Sequence, residues 1–201
     1  MVAIAAAAAG AEVEIVGLTA PFGAPLITSV DALHVARDAV LSIPEADFEG
    51  VAGVIVAAFG DPGADELARR LAVPVIGIAE ASMRAAAKFG RFSVVTTTPL
   101  LAVSIRERAV ILGVGDRLAS VRTSEEDPAT LTANEPALRA ALGALIDVAV
   151  AEDGAQAVII GGGPLASAAR ALAAISPVPL IEPVPIAIRT IIERLAPRYP
   201  V

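Results

Sequence analysis

The sequence has no cysteine and no tryptophan, and aromatic residues make up only 3% of it. Without cysteine the chain cannot form disulfides, thiolate metal sites or thiol nucleophiles. Basic residues are also scarce, since 15 Lys and Arg face 22 Asp and Glu and give a net charge of −7. An acidic chain with no basic cluster is unsuited to nucleic acid, which we exclude as a partner. The single histidine, His34, has the pattern of a helix surface or packing residue.

Long uninterrupted apolar runs are missing as well, although 56% of the residues are hydrophobic. A charge or a proline cuts every apolar run before about 18 residues, so we predict no membrane span. The apolar start Met1–Gly10 has no Lys or Arg before Arg37, so it lacks the positive region of a signal peptide. We therefore expect a cytoplasmic protein. A parallel sheet covered on both faces accounts for the high hydrophobic fraction.

The most informative stretch is Val51–Gly63, in which the apolar run Val54–Val56 stops abruptly at a series of small residues. An amphipathic segment, Ala64–Leu71, follows directly. This order predicts a buried strand, a tight turn and a helix. In open parallel sheets, ligands bind beyond the carboxyl ends of the strands, where helix N-termini offer free N–H groups. We therefore expect the ligand site at Ala58–Gly63.

A second copy of this pattern begins about a hundred residues later, at Gly154–Gly163. Gly162 corresponds there to Ala58. We predict an α/β fold with two pseudo-symmetric parallel-sheet halves, residues 1–90 and 91–201, that face one another across a ligand cleft. A final helix over about residues 184–195 is expected to pack back on the first half.

The repeat also predicts a gap in the first half. The strand expected at Phe92–Thr97 has its counterpart about 104 positions earlier, before residue 1. The first half therefore lacks its N-terminal strand, and an element of a neighbouring subunit is one way to cover the gap. We also expect a strand at Val13–Leu18, a site-lining or site-covering loop at Thr19–Ser29 and a polar, mobile loop at Thr123–Asn134.

Three hydroxyls at the predicted strand end, Thr96, Thr97 and Thr98, are well placed to donate to a carbonyl or carboxylate. Simple β-propensity and capping of the next helix explain them equally well. The glycines and proline of the second turn, Gly161, Gly162, Gly163 and Pro164, are open to a purely structural reading too, because a tight turn requires such residues.

Three carboxylates are candidates for acid/base chemistry. Asp61 is the one ionisable side chain in either turn, although an Asp there is also the usual cap of a helix N-terminus. Glu80 and Glu182 occupy related strand ends, where paired carboxylates would give an acid and a base. Two ordinary loop glutamates are the simpler interpretation.

The segments Ala57–Gly63, Val73–Ala81 and Phe92–Thr97 together resemble the hydantoin racemase branch of the aspartate/glutamate racemase superfamily, and Glu152–Gly161 is similar to the segment before its second catalytic turn. The resemblance covers nearly the whole chain. It implies a small carboxylate or cyclic ureide bound between two halves, with no cofactor and no metal. Racemases of this kind use one cysteine at each turn, and those two positions are Ala58 and Gly162 here.

Neither residue can carry a proton, so racemisation by two cysteines is excluded. The anion-binding part of the site is expected to remain, as backbone N–H groups that hold a carboxylate or enolate. The residues expected to bind the ligand are Ala58, Phe59, Gly60, Thr96, Thr97, Thr98, Gly161, Gly162, Gly163 and Pro164. Three hypotheses stay open: an isomerase or decarboxylase with another acid/base, a silent metabolite-binding relative, and a truncated product of a longer frame. We also expect a homo-oligomer.

Overall fold

The computed structural model describes residues 1–195, apart from the side chain of Pro164. Strands and helices alternate along most of the chain, as the sequence predicts. The strands are β1 Val54–Val56, β2 Val75–Gly77, β3 Phe92–Thr96, β4 Leu118–Thr123, β5 Ala157–Ile160 and β6 Leu180–Ile181. The helices are α1 Val2–Ala9, α2 Val30–Leu41, α3 Ala64–Arg70, α4 Ile78–Ala86, α5 Ala102–Ile111, α6 Pro128–Thr132, α7 Glu135–Ala151, α8 Ala166–Ala173 and α9 Pro183–Leu195.

The strands form two parallel sheets of unequal size. One has four strands in the order β4-β3-β5-β6, and the other pairs β1 with β2. In the larger sheet β3 is central, with Val94 opposite both Val121 and Ile159. All residues of β3 and β5 are buried, which explains their continuous apolar sequence. The parallel α/β fold is therefore confirmed, with a first sheet of only two strands.

The larger sheet is covered on both faces. One face packs under α7 and α8 in a cluster that includes Leu142, Ile160 and Leu172. The other face packs against α4 and α5, with Met83 and Ile105 in the cluster. Because α4 follows β2 of the small sheet and also covers the large one, it joins the two sheets.

Helix α9 returns from the large sheet to the small one. It packs along α1 and α4, and Ile188 and Ile191 share a core cluster with Ile76 and Ile78. The last described helix thus lies on elements from the first ninety residues.

Two sequence-based predictions of local structure are wrong. Val13–Leu18 is not a strand, and Val16 is 73% exposed. Its apolar residues favour an extended chain, but no strand of the described residues pairs with it. The expected loop at Thr123–Asn134 contains α6, because Pro128 begins the helix and the Asp127 carboxylate accepts from the Thr130 N–H at 2.8 Å.

Within residues 1–195, none of the helices combines the length and the hydropathy that crossing a bilayer requires.

Candidate functional site

A cavity of about 290 Å³ lies at the carboxyl ends of β1, β3 and β5. Each of these strands contributes the residues that follow or end it: Ala57–Phe59 after β1, Thr96–Thr98 at β3 and Gly161–Gly163 after β5. Parallel strands place these ends at one edge of the sheet, where ligands bind in α/β folds. The remaining lining residues are Met1, Ala24, Pro25, Leu26, Ile27, Leu101, Ile105, Thr132 and Leu165.

The three threonines differ in what their hydroxyls do. Thr96 donates to the Gly161 carbonyl at 2.8 Å, and its oxygen lies 3.1 Å from that of Thr98. These bonds tie the end of β3 to the turn after β5. The Thr97 hydroxyl makes no hydrogen bond within the described residues and lines the cavity, so it is available to a ligand.

The turn after β5 is built from backbone alone. Gly162 has a φ of +151°, a conformation that residues with a Cβ rarely adopt. A Cβ at Gly161 would lie 3.0 Å from Val94 and 3.1 Å from the Phe59 ring. This turn can therefore present N–H groups to a ligand at close range, and a larger side chain would crowd it.

The described lining carries no acidic or basic side chain. Its polar surface comes from threonine hydroxyls and backbone groups, and its apolar surface from residues such as Phe59, Leu26 and Ile105. A carboxylate ligand would find no cationic side chain to pair with in this lining, whereas an uncharged amide-like ligand needs only hydrogen bonds and shape.

Asp61 follows the first turn, but its side chain points away from the cavity lining. Its carboxylate accepts hydrogen bonds from the N–H groups of Ala79 and Glu80, both at 2.7 Å, and from Arg108 Nε at 3.1 Å. Burial raises the pKa of Asp61 to about 6, although Arg108 and the two N–H groups oppose the rise. In this arrangement Asp61 caps α4, the helix of the next βα unit.

The two glutamates lie apart from the cavity lining and bind arginines. Glu80 accepts from Arg84 and Arg194, at 3.2 and 2.9 Å. Glu182 accepts from Arg170 at 3.2 Å and borders only a small void behind the Gly162–Gly163 backbone. No direct bond joins the two glutamates within the described residues, and each has a neighbouring cation instead.

Of the other predicted binding residues, Gly60 is not part of the lining. Its φ of +112° serves the turn itself. The side chain of Pro164 lies outside the described residues, so its contribution is not assigned. His34 lies exposed on α2, as expected for a helix surface residue.

Sequence reasoning missed three cavity residues: Leu101 just before α5, Ile105 on α5 and Thr132 on α6. The apolar periodicity of α5 signals a buried helix face but does not show that this face reaches a ligand cavity. The loop at Thr19–Ser29 gave a better signal, and Ala24–Ile27 do line the cavity.

Comparisons with known proteins find similar sequences and similar structures. Residues 1–191 match the family model described as Asp/Glu/Hydantoin racemase. A hydantoin racemase from Paenarthrobacter aurescens is 32% identical over 136 residues, which are 67% of this chain and 58% of the relative's length. The alignment therefore spans less than two thirds of that curated relative.

Two solved structures are similar over almost the entire chain. The allantoin racemase from Pseudomonas fluorescens has a TM-score of 0.91 and 31% identity, covering 98% of this chain and 84% of its own. The allantoin racemase from Klebsiella pneumoniae has a TM-score of 0.88 and 32% identity, covering 98% and 81%.

Proposed function

The chain belongs to the Asp/Glu/hydantoin racemase family, and from this premise we propose that it binds a small cyclic ureide or carboxylate in the cavity and catalyses an isomerase-type or decarboxylase-type reaction on it. The observation that carries the proposal is the cavity itself, which the turns after β1 and β5 and the threonines of β3 enclose.

Because no charged side chain occurs in the described lining, a ureide is favoured over a carboxylate. Hydantoin and allantoin, which occur in the names of the relatives, are uncharged cyclic ureides with several N–H and C=O groups. Such a ligand needs hydrogen bonds from the threonines and the turns, and it needs no cationic partner. We therefore rank a ureide first and a small carboxylate second.

The proposed reaction passes through an enolate, which the hydrogen-bond donors of the cavity can stabilise. Removing the proton next to a ureide carbonyl produces an enolate, and N–H and hydroxyl donors fixed near its oxygen lower the energy of that state. Backbone N–H groups of the two turns and the Thr97 hydroxyl are the donors in this proposal. Since the chain has no cysteine and the described lining has no acidic or basic side chain, the proton passes to water in the cavity and the enolate is reprotonated from solvent.

Solvent-deuterium exchange measured by NMR tests this proposal. The panel contains substituted hydantoins, allantoin, acidic amino acids and substituted malonates, and a thermal-shift screen is run on the same compounds. We expect exchange at the carbon next to the carbonyl of at least one ureide, faster than in buffer. Exchange of no compound together with no thermal stabilisation would contradict the proposal, whereas stabilisation without exchange would favour a binding protein.

Three variants test whether the reaction takes place in this cavity. Ala58→Leu narrows the cavity and should reduce both exchange and stabilisation. Thr97→Val keeps the shape but removes the free hydroxyl, and the loss of one such donor should slow exchange about 100-fold. Thr190→Val removes the same atoms on α9, where the hydroxyl bonds only the Ile186 carbonyl. This control should stay within about twofold of wild type, and an equal loss in both valine variants would argue against a role for Thr97.

We also propose a homo-oligomer that forms through the outer face of α5. Four large apolar side chains at this helix are 65–70% exposed: Leu100, Val103, Val110 and Ile111. The exposed Arg106 and Glu107 lie among them, so an antiparallel second copy can pair opposite charges beside the apolar stripe. Two such faces would bury roughly 1,000 Å², about the lower limit for a specific interface.

Light scattering after gel filtration tests the assembly. Ile111→Glu should dissociate it, whereas Ile175→Glu, a change at a 76% exposed site away from α5, should leave it intact. A monomeric wild type, or an Ile111→Glu variant that still assembles, would rule out this interface.

A further inference from the structure

The Asp61 carboxylate makes hydrogen bonds to two helices outside the turn in which it lies, α4 and α5. Its side chain is fully buried, and its two oxygens take the N–H groups of Ala79 and Glu80 at the start of α4. The helix has no cap of its own, because Gly77 stands at its N-cap position. A Cβ at Gly77 would overlap the Asp61 carboxylate. The residue before α4 is thus one that leaves room for Asp61.

The third partner of Asp61 comes from α5, which contributes to another part of the cavity lining. Arg108 lies on α5, one turn beyond Ile105 and two turns beyond Leu101, and all three face inward. Leu101 and Ile105 line the cavity. Arg108 also holds Asp65 on α3 with two bonds, at 2.6 and 3.1 Å. The guanidinium therefore connects the first turn and α3 to the helix that carries Ile105 into the cavity lining.

We infer that Asp61 and Arg108 form a clasp that positions two parts of the cavity lining relative to each other: the turn Ala57–Phe59, and Ile105 of α5 with Leu101 just before that helix. Asp61 acts here as a positioning residue, because its carboxylate binds α4 and Arg108 and does not line the cavity. The clasp is present in the protein without ligand and does not depend on the proposed function.

Asp61 also adopts a costly backbone conformation. Its φ is +55°, and it is the one residue other than glycine with a positive φ among those described. Such a conformation is uncommon for a residue with a Cβ and persists where the surrounding structure enforces it. The strain falls in the turn next to the cavity, which agrees with a role in fixing that turn.

Protonation of Asp61 would weaken the clasp. The charged side chain that faces it is Arg108 from α5. Asp65 of α3 lies on the far side of that guanidinium, and the Glu80 side chain of α4 bonds Arg84 and Arg194 instead. Because the pKa of Asp61 is raised to about 6, the carboxylate is ionised at neutral pH and becomes protonated in mild acid. Its attraction to Arg108 is lost as the pH falls.

NMR titration of the full chain without ligand tests the clasp. The observed signals are the backbone amides of Ala79 and Glu80 and the side-chain methyls of Leu101 and Ile105. We expect amides and methyls to shift with one shared midpoint near the pH at which Asp61 titrates. Asp61→Asn should abolish this transition in both sets of signals.

Asp65→Asn is the matched control, since it makes the same chemical change on another Arg108 partner. The shared transition should persist there and move to lower pH, because removing the nearby negative charge favours ionised Asp61. Arg108→Met should move the midpoint to higher pH and uncouple the methyls from the amides. Arg108→Lys keeps the positive charge and should hold the midpoint near that of wild type.

Two results would overturn the inference. If the amides titrate in wild type while the methyls of Leu101 and Ile105 do not, Asp61 is only the cap of α4. If the methyls titrate with the same midpoint in Asp61→Asn, another group causes their shift. Should Asp61→Asn fail to fold, the wild-type titration and the two Arg108 variants still decide between these outcomes.

Discussion

At the scale of single residues, Gly77 supports the site because its lack of a side chain leaves room for the Asp61 carboxylate. We expect Gly77→Ala to lower the free energy of unfolding by about 2–4 kcal/mol, because the new Cβ displaces Asp61 and α4 loses its cap. Gly143→Ala is the control. It lies inside α7, where a Cβ would meet only Leu172 at an ordinary 3.5 Å.

Gly143→Ala should raise the free energy of unfolding by about 0.5–1 kcal/mol, since alanine restricts the unfolded chain and favours a helix. Urea unfolding followed by circular dichroism measures both variants. A Gly77→Ala protein as stable as wild type would show that the Asp61 contact with α4 contributes little.

The residues of the cavity divide into those that sequence can predict and those that it cannot. The turn Ala57–Phe59, the threonines Thr96–Thr98 and the glycines Gly161–Gly163 follow strands in the sequence, and the strand-end rule alone brings them together. The partners of Asp61 are different, because residues 79, 80 and 108 reach it only through the tertiary fold. A local reading predicts a cap for the adjacent helix, whereas the structure places the carboxylate on α4.

At the scale of secondary structure, the two sheets should differ in local stability. Strand β3 has hydrogen-bonded neighbours on both sides and is buried throughout. Strand β1 has three residues and pairs only with β2 among the described strands. Local opening is easiest where buried contacts and paired neighbours are few.

We therefore expect the amides of β1 to exchange with deuterium at least tenfold faster than those of β3. Mass spectrometry of exchanged peptides covering residues 51–58 and 92–97 measures the difference. Equal protection of the two peptides would mean that another element covers β1 in solution, such as the neighbouring subunit considered above.

The segment Val13–Leu18 explains why one element was mispredicted. Its β-branched residues Val13, Ile15 and Val16 are typical of a strand. A strand also requires a hydrogen-bonded neighbour, and none lies beside this segment in the described part of the chain. The repeat itself predicts a gap in the first sheet. A local preference for extended structure was therefore not enough to make Val13–Leu18 a strand, because no described strand is available to pair with it.

At the scale of the whole molecule, α9 determines whether the protein unfolds as one unit. The sequence predicts two halves, residues 1–90 and 91–201, and this division stays a prediction. Helix α9 belongs to the second half in sequence, yet Ile188 packs among residues of α1, β2 and α4. Helix α4 in turn covers the larger sheet through Met83. These shared clusters should couple the two halves energetically.

We expect Ile188→Ala to destabilise the whole protein by about 2–5 kcal/mol, because the deletion leaves a cavity at a residue that is 3% exposed. Ile175→Ala makes the same change at a 76% exposed site and should alter stability by no more than about 0.5 kcal/mol. Thermal unfolding followed by NMR at Val56 and Val94 reports separately on the small and the large sheet. Coupled halves give one shared midpoint, which Ile188→Ala lowers equally at both positions. If Val56 alone melts earlier in that variant, the small sheet unfolds independently and α9 stabilises only the elements that it touches.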